Sequence, residues 1–531
     1  MRVVDKEEMR AIENQAIEGH GFNVDLVIEN VGIRGADFIE HVILENHEFE
    51  EIVFLIGQGN NGADALAIAR HLRNKGLACR AFTLFPEEDF TPALLEQKRI
   101  AEKFGVKFTE LSGTDQLKAY FLQTQEDYCV IDGILGIGFR APLSNYLFDI
   151  VKIVNDHATV VVSLDIATGV EANSGTVNSE AIDADYTLAI GLPKTGHYIG
   201  DGAKQSGEIA VLDAGFPAAT MEGGDKALLL SENLSGIYEG RSKFAHKNTF
   251  GHALVVGGSP GMTGALIMAS EAALKVGTGL VTAATWNESY PEATARMTPE
   301  IMTGLVPTER DDVEDIIRVL ERYDSIVIGP GMGRTGKTRS TVVKLLSNFA
   351  GPVAVDADGI NALSIKEDAE LLKSRKGATI LTPHIGEFAS FMGVSNEEVL
   401  DNPIDLLKEA VDKTNSCIIL KGACSFLGFP SGEILINYFP NDGMASGGSG
   451  DVLVGMLGGL LAQAAPDKID KKKSGLFTDD DRYNQAICLG VSIHTLAGKH
   501  AANKIGPEAM TARSITEHIS DAFLELAQNE L

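Results

Sequence analysis

The chain has 531 residues, 44% of them hydrophobic and 22% charged, and it carries 45 basic against 74 acidic side chains, a formal net charge of −29 with His neutral. One core closes at about 100–250 residues, so two large domains are expected. The acidic balance excludes a nucleic-acid surface, which needs a positive stripe to displace counterions, and the composition excludes a disordered chain.

The opening MRVVDKEEMRAIENQAIEG sets charged and apolar residues at helical spacing and lacks a signal-peptide core. Short β-branched runs follow: EIVFLIG (51–57), YCVID (128–132), TVVVSLD (159–165), YTLAIG (186–191), HALVVGG (252–258), SIVIGPG (325–331), PVAVDAD (352–358), ATILTP (378–383) and SCIILKG (416–422). Such runs, ending in Gly or Asp, suit strands buried on both faces and therefore parallel sheets covered by helices. The pattern lapses at MEGGDKALLL, which places the boundary near residue 222 and gives two α/β units, 1–222 and 223–531.

Cys79, Cys129, Cys417, Cys424 and Cys488 lie far apart with no C-x-x-C, so neither a zinc site nor a disulfide framework is indicated. The longest apolar segment, VLVGMLGGLLAQAA, is shorter than the ~20 residues of a membrane span. A cytoplasmic protein acting on small molecules is expected, homo-oligomeric and without membrane or nucleic-acid partners.

FLIGQGNNGADALAIARHLRNKG reads as a strand, a loop of small and amide residues, and an amphipathic helix. That junction offers free backbone N–H groups and a positive dipole end, or is a plain strand-to-helix turn. VIDGILGIGFRAP and SLDIATGVEANSG each end a strand with an aspartate, Asp132 and Asp165, at the edge where open parallel sheets bind ligands. Asn61, Asp132 and Thr168 would supply oxygen ligands around one crevice, suiting a hard monovalent cation, although either carboxylate could cap a helix instead.

Together with GLPKTG, these segments resemble the NAD(P)H-hydrate epimerase domain over residues 1 to about 216. The resemblance implies a Rossmann-like three-layer α/β/α sandwich, a potassium ion on Asn61, Asp132 and Thr168, and epimerisation at C6 of a hydrated nicotinamide. It places the dinucleotide on Asn60, Asn61, Gly62, Ala63 and Asp64, on Gly136, Ile137, Gly138, Phe139, Arg140, Ala141 and Pro142, and on Asp165. The family pattern is NNGGDG and IPSG where this chain has NNGADA and IATG, so Ala63 and Ala65 add methyl groups near the expected ligand. Asp132 is expected to shuttle the proton as water leaves C6 and returns.

In the second half GMGRTGKT, Gly331 to Thr338, fits the P-loop pattern G-x-x-x-x-G-K-[ST] after an apolar run. Pro330 at the strand end and the later stretch MASGGSGDVLVGMLGG argue against that reading. A carboxylate, Asp451, follows Gly447, Gly448 and Gly450, and it is a poor neighbour for a permanently bound phosphate. It makes sense as a base that takes a hydroxyl proton while backbone N–H groups hold a migrating phosphoryl group. Alone, Asp451 could instead stabilise the helix dipole.

HKNTFGHALVVGG, VIGPGMG, VDADGIN, ILTPHIGEF, ILKGACS and GGSGDVLVG match in this order the ribokinase-like ADP/ATP-dependent NAD(P)H-hydrate dehydratase domain, from about residue 226 onward. The resemblance implies nucleotide binding by Lys421, Gly422, Ala423, Cys424, Ser425, Gly447, Gly448 and Gly450, with Mg²⁺ and ADP or ATP as cosubstrate. Ala265, Gly331, His384 and Asp451 would contact the hydrate. His384 could equally be a loop histidine bonded to backbone. A small-molecule kinase fused to a degenerate nucleotide-binding module would carry the same Asp451 and anion hole.

Overall fold

A computed structural model of the chain describes all residues except 124–126, 231–233, 235–240, 242, 307–311, 466–480 and 529–531. The insert of 467–481 therefore lies, apart from Asp481, outside the described residues. Two compact units emerge, Arg2–Lys226 and Ala227–Leu531 with Met1. Among the described residues no helix is long and apolar enough to cross a membrane. The five cysteines are free, and burial pushes the thiols of Cys79, Cys129 and Cys488 up to about 12, as expected of small apolar residues.

The first unit holds β1 (Ile52–Ile56), β2 (Cys79–Thr83), β3 (Lys107–Glu110), β4 (Cys129–Gly133), β5 (Val160–Leu164), β6 (Tyr186–Ile190) and β7 (Glu208–Leu212). They pair in the order β3-β2-β1-β4-β5-β6-β7, every pair parallel. Phe54, Ile131 and Val162 join one buried cluster while Val53, Val130 and Val161 join another, because successive side chains leave opposite faces of the pleat. Both faces are thus covered, giving three layers. The strand order reverses between β1 and β4, which opens a crevice at their C-terminal ends.

In the second unit β9 (His252–Val256), β10 (Leu280–Thr285), β11 (Met302–Leu305), β12 (Ser325–Ile328), β13 (Val353–Val355), β14 (Thr379–Leu381) and β15 (Cys417–Leu420) form a parallel array. β16 (Cys424–Gly428) and β17 (Ile434–Tyr438) continue it as antiparallel strands, and β8 (Lys226–Leu228) lies at the far edge beside β17. The helix Ser449–Gln463 is buried along nearly its whole length. Its glycines let helices touch: a Cβ on Gly455 would stand 2.1 Å from the carbonyl oxygen of Ala269, on the helix Thr263–Lys275. The small residues after Asp451 therefore serve helix packing, and those before it form the site.

Candidate active sites

A cavity of about 790 Å³ occupies the crevice of the first unit. Gln58 to Asn61 and Asp64 line it from the start of the helix Asn60–Asn74, Ile134 to Arg140 and Pro142 from the loop after β4, and Asp165, Ile190 and Lys194 from the next two strand ends. That helix has no side-chain cap at its N-terminus, so its first amides remain available to an anion. Of the residues expected to hold the dinucleotide, Gly62, Ala63 and Ala141 do not line the cavity. The glycine substitutions are also accounted for: Ala63 is fully buried, and the Ala65 methyl lies 2.5 Å from where a Cβ on Gly133 of β4 would stand. Neither methyl obstructs the ligand space.

Asp165 sits on a left-handed backbone turn, φ 68°, which aims its carboxylate into the cavity floor. There it pairs with the ammonium of Lys194, which also donates to the Ile190 carbonyl at 2.9 Å. His197 Nδ1 accepts the Lys194 amide at 3.2 Å, so its proton resides on Nε2, which donates to the Asp165 carbonyl at 2.9 Å. Burial, with Lys194 adding to it, holds His197 down to about 4, keeping the ring neutral. Burial first, then Asp165 and Glu13, pushes the Asp64 carboxyl well above the usual range, and its Oδ1 has no hydrogen-bond partner. Lys194, quoted within GLPKTG, carried no spacing signal that would assign it a role.

Asp132, the expected proton shuttle, is set back from the ligand space. Its side chain is fully buried beneath the cavity and does not line it. Its oxygens accept from Ile134 N at 3.1 Å, Ser163 Oγ at 2.9 Å, Thr168 N at 2.9 Å and Thr168 Oγ1 at 2.7 Å. A carboxylate so enclosed anchors the two loops that carry the cavity wall. Thr168 Oγ1 accepts the Leu135 amide at 3.1 Å, and Asn61 Nδ2 donates to the Leu135 carbonyl at 3.0 Å, so the three expected cation ligands meet around one loop.

The P-loop match in the second unit cradles nothing. Thr335 caps its own helix by accepting the Thr338 amide at 3.2 Å, and the Gly333 amide donates to Asp358 at 2.7 Å. By contrast, the helix Ser449–Gln463 begins at Gly448, φ 100°, with no side-chain cap. Asp451 in its first turn is pushed up to about 7, by burial first and then by Asp356, with Lys421 opposing. Lys421 follows β15 and pairs with Asp356 at 2.7 Å, and a Cβ on Gly450 would stand 3.1 Å from its Nζ.

The bridge between His384 and Lys421 sets their loops side by side. His384 does bond to backbone: its Nδ1 accepts the amides of Gly386 at 3.0 Å and Glu387 at 3.2 Å, capping the helix Ile385–Met392, while the side chain stays 58% exposed. Ala265 and Gly331 are neighbours, since a Cβ on Gly331 would lie 3.2 Å from that of Ala265. Gly422 to Ser425 form the turn into β16, and Gly447 and Gly448 lead into the helix. The expected residues of this site thus fall on adjoining segments. Asp356, one residue past β13, is the member that went unassigned.

A crevice at a strand-order reversal in the first unit, and in the second an uncapped helix N-terminus with a carboxyl in its first turn, are features of α/β enzymes that bind ligands at strand ends. Family models agree: residues 24–196 match "YjeF-related protein N-terminus" and residues 253–521 match "NAD(P)H-hydrate dehydratase". The bifunctional NAD(P)H-hydrate repair enzyme Nnr of Moorella thermoacetica is 32% identical, covering 98% of this chain and 96% of that protein. The protein of that name from Thermofilum pendens is 29% identical over 100% of this chain and 97% of its own. A Bacillus subtilis ADP/ATP-dependent NAD(P)H-hydrate dehydratase crystallised with ATP and Mg²⁺ is 25% identical with a TM-score of 0.46, covering 56% of this chain and 98% of that one. The chain belongs to the family of bifunctional NAD(P)H-hydrate repair enzymes.

Proposed function

We propose that the first unit interconverts the R and S epimers of hydrated NAD(P)H at C6, and that the second restores NAD(P)H from the S form at the expense of ADP or ATP. The observation that carries the reading is the placement of Asp451: a carboxyl in the first turn of a helix with no side-chain cap, next to Gly450 and the Asp356–Lys421 pair that Gly450 faces, in a chain whose family performs this repair. Hydroxide is a poor leaving group, so the C6 oxygen is first phosphorylated. Asp451 takes the hydroxyl proton as the terminal phosphoryl group arrives, and amides around Gly447 to Gly450 hold the developing charge. Ring N1 then expels phosphate, and C5 loses a proton to restore the dihydronicotinamide. With ADP the other product is AMP. Mg²⁺ would arrive on the nucleotide, where it neutralises phosphate charge.

In the first unit, Asp165 and Lys194 face the ligand space and handle the proton as the C6 oxygen departs and water re-adds. Asn61 Oδ1 is buried with no hydrogen-bond partner, and together with the Asp132 and Thr168 oxygens, linked to Asn61 through the Leu135 loop, it would supply an all-oxygen set for potassium. Bound there, the ion would steady the glycine loop and offset the Asp132 charge. Purified protein given each epimer of hydrated NADH, with and without ADP or ATP, should recover reduced-nicotinamide absorbance from both epimers, only with nucleotide. A stable phosphorylated product without recovery would overturn the reading in favour of a plain kinase.

A further inference from the structure

Asp356 lies one residue past β13 at 2% exposure, and its Oδ1 accepts both the Lys421 ammonium at 2.7 Å and the Thr382 hydroxyl at 2.8 Å. The Lys421 backbone is itself fixed, its amide donating to Pro383 O at 2.8 Å. The ammonium is therefore held at both ends, against the one residue of the glycine loop, Gly450, whose absent side chain leaves room for it: a Cβ there would lie 3.1 Å from Lys421 Nζ and 3.6 Å from Asp356 Oδ2. A side chain immediately before Asp451 would thus crowd this ion pair. A lysine free of Asp356 would have a nearer-term partner in Asp451 itself, and an ammonium pressed on that carboxylate would weaken it as a base.

Resting on the dehydratase reading above, we propose that Asp356 is a positioning residue for phosphoryl transfer: it holds the Lys421 ammonium at the mouth of the helix, where it meets the migrating phosphoryl group, and keeps it from quenching Asp451. The charged groups around Asp451 come from each neighbouring segment: Asp356 and Asp358 after β13, Glu387 on the helix Ile385–Met392, and Lys421 after β15. His384 lies beside Lys421, and His494, held down to about 4 by burial, contacts Ser449 and stays neutral. Asp356 is the neighbour that raises Asp451 most.

The test is a double-mutant cycle on nucleotide-driven dehydration with the full chain, comparing wild type, Asp356→Asn, Lys421→Gln and the double variant. A residue acting through Lys421 predicts non-additivity. Asp356→Asn and Lys421→Gln each lower kcat by roughly tenfold or more, and the double variant is no slower than Lys421→Gln. The acid limb of the kcat profile moves to lower pH in Asp356→Asn and stays in place in Asp356→Glu.

Losses that multiply, an unmoved limb, or wild-type kcat in Asp356→Asn would each overturn the proposal. Each single variant leaves one partner of the pair unmatched, whereas the double variant buries no unpaired charge. Thermal melts select the folded variants, and a double variant slower than a folded Lys421→Gln, or an acid limb displaced in Asp356→Glu, which keeps the pair, overturns the proposal even if Asp356→Asn does not fold. Absence of nucleotide-driven dehydration in the wild type would instead defeat the functional reading itself.

Discussion

The ammonium of Lys337 lies 4.2 Å from the centre of the Trp286 ring, turned onto an aromatic face rather than toward the helix N-terminus its motif would have it serve. Trp286 is fixed beneath it by a hydrogen bond from Nε1 to Met332 O at 3.1 Å. Lys337→Ala is therefore expected to leave nucleotide-driven turnover within about twofold of wild type and to cost about 0.5–1 kcal/mol of stability, the worth of an exposed cation–π contact. Steady-state kinetics and denaturant unfolding check both halves. A P-loop lysine would instead lose most of its activity.

Asp165 and Lys194 form a buried pair, with side-chain exposures of 11% and 1%. Lys194→Met leaves a buried carboxylate unpaired, so the first unit should lose about 3–5 kcal/mol. Asp165→Asn, close to isosteric, is expected to slow epimerisation about a hundredfold or more while dehydration of the S form continues. Following each reaction separately on resolved epimers tests the division of labour.

The cation site proposed at Asn61 predicts that epimerisation depends on the monovalent ion. Exchange of potassium for tetramethylammonium should slow epimerisation and leave the P-loop-like segment's stability untouched, and Asn61→Ala should abolish the difference between the two buffers. Equal rates in both buffers with the unaltered protein would dismiss the ion.

Asp451 is raised from the ordinary carboxyl range to about 7, mainly by burial. Its base form is populated above that value, so kcat/KM for dehydration should climb as pH rises through about 7. The stability sign runs the other way. A group raised in the folded state favours folding while protonated, and that contribution is lost as pH rises toward 7. Asp451→Asn should then be more stable than wild type at pH 8, by about 1–4 kcal/mol, and by only about a third as much at pH 5, because the loss sets in at the unfolded carboxyl value and grows up to about 7. Thermal melts at the two pH values measure it.

Much of this was legible in sequence. Each of the nine apolar runs became a strand, from β1 to β15, because fully buried parallel strands announce themselves as unbroken β-branched segments. Of the strands that escaped notice, β11 (MTGL) and β3 (KFTE) are half-exposed, whereas β2 (CRAFT) and β10 (LVTAAT) are buried but their Arg, Ala and Thr residues interrupt the β-branched apolar run. Asp132 shows the limit at the site. A run buried on both faces does not reveal which face each residue takes, so two strand-end aspartates looked equivalent. Asp132 falls within β4 and turns inward, whereas Asp165 lies one residue past β5 on a left-handed turn and faces the cavity. Asp356 likewise lies one residue past its strand, and only the three-dimensional meeting of β13, β15 and the glycine loop gives it a partner.

Single-turnover dehydration of the S hydrate by Asp451→Asn, beside a direct measurement of nucleotide binding, tests the central claim most directly. The account predicts a rate at least about a hundredfold below wild type, the scale of losing a positioned base, with nucleotide affinity largely kept. Dehydration at the wild-type rate by that variant would contradict it.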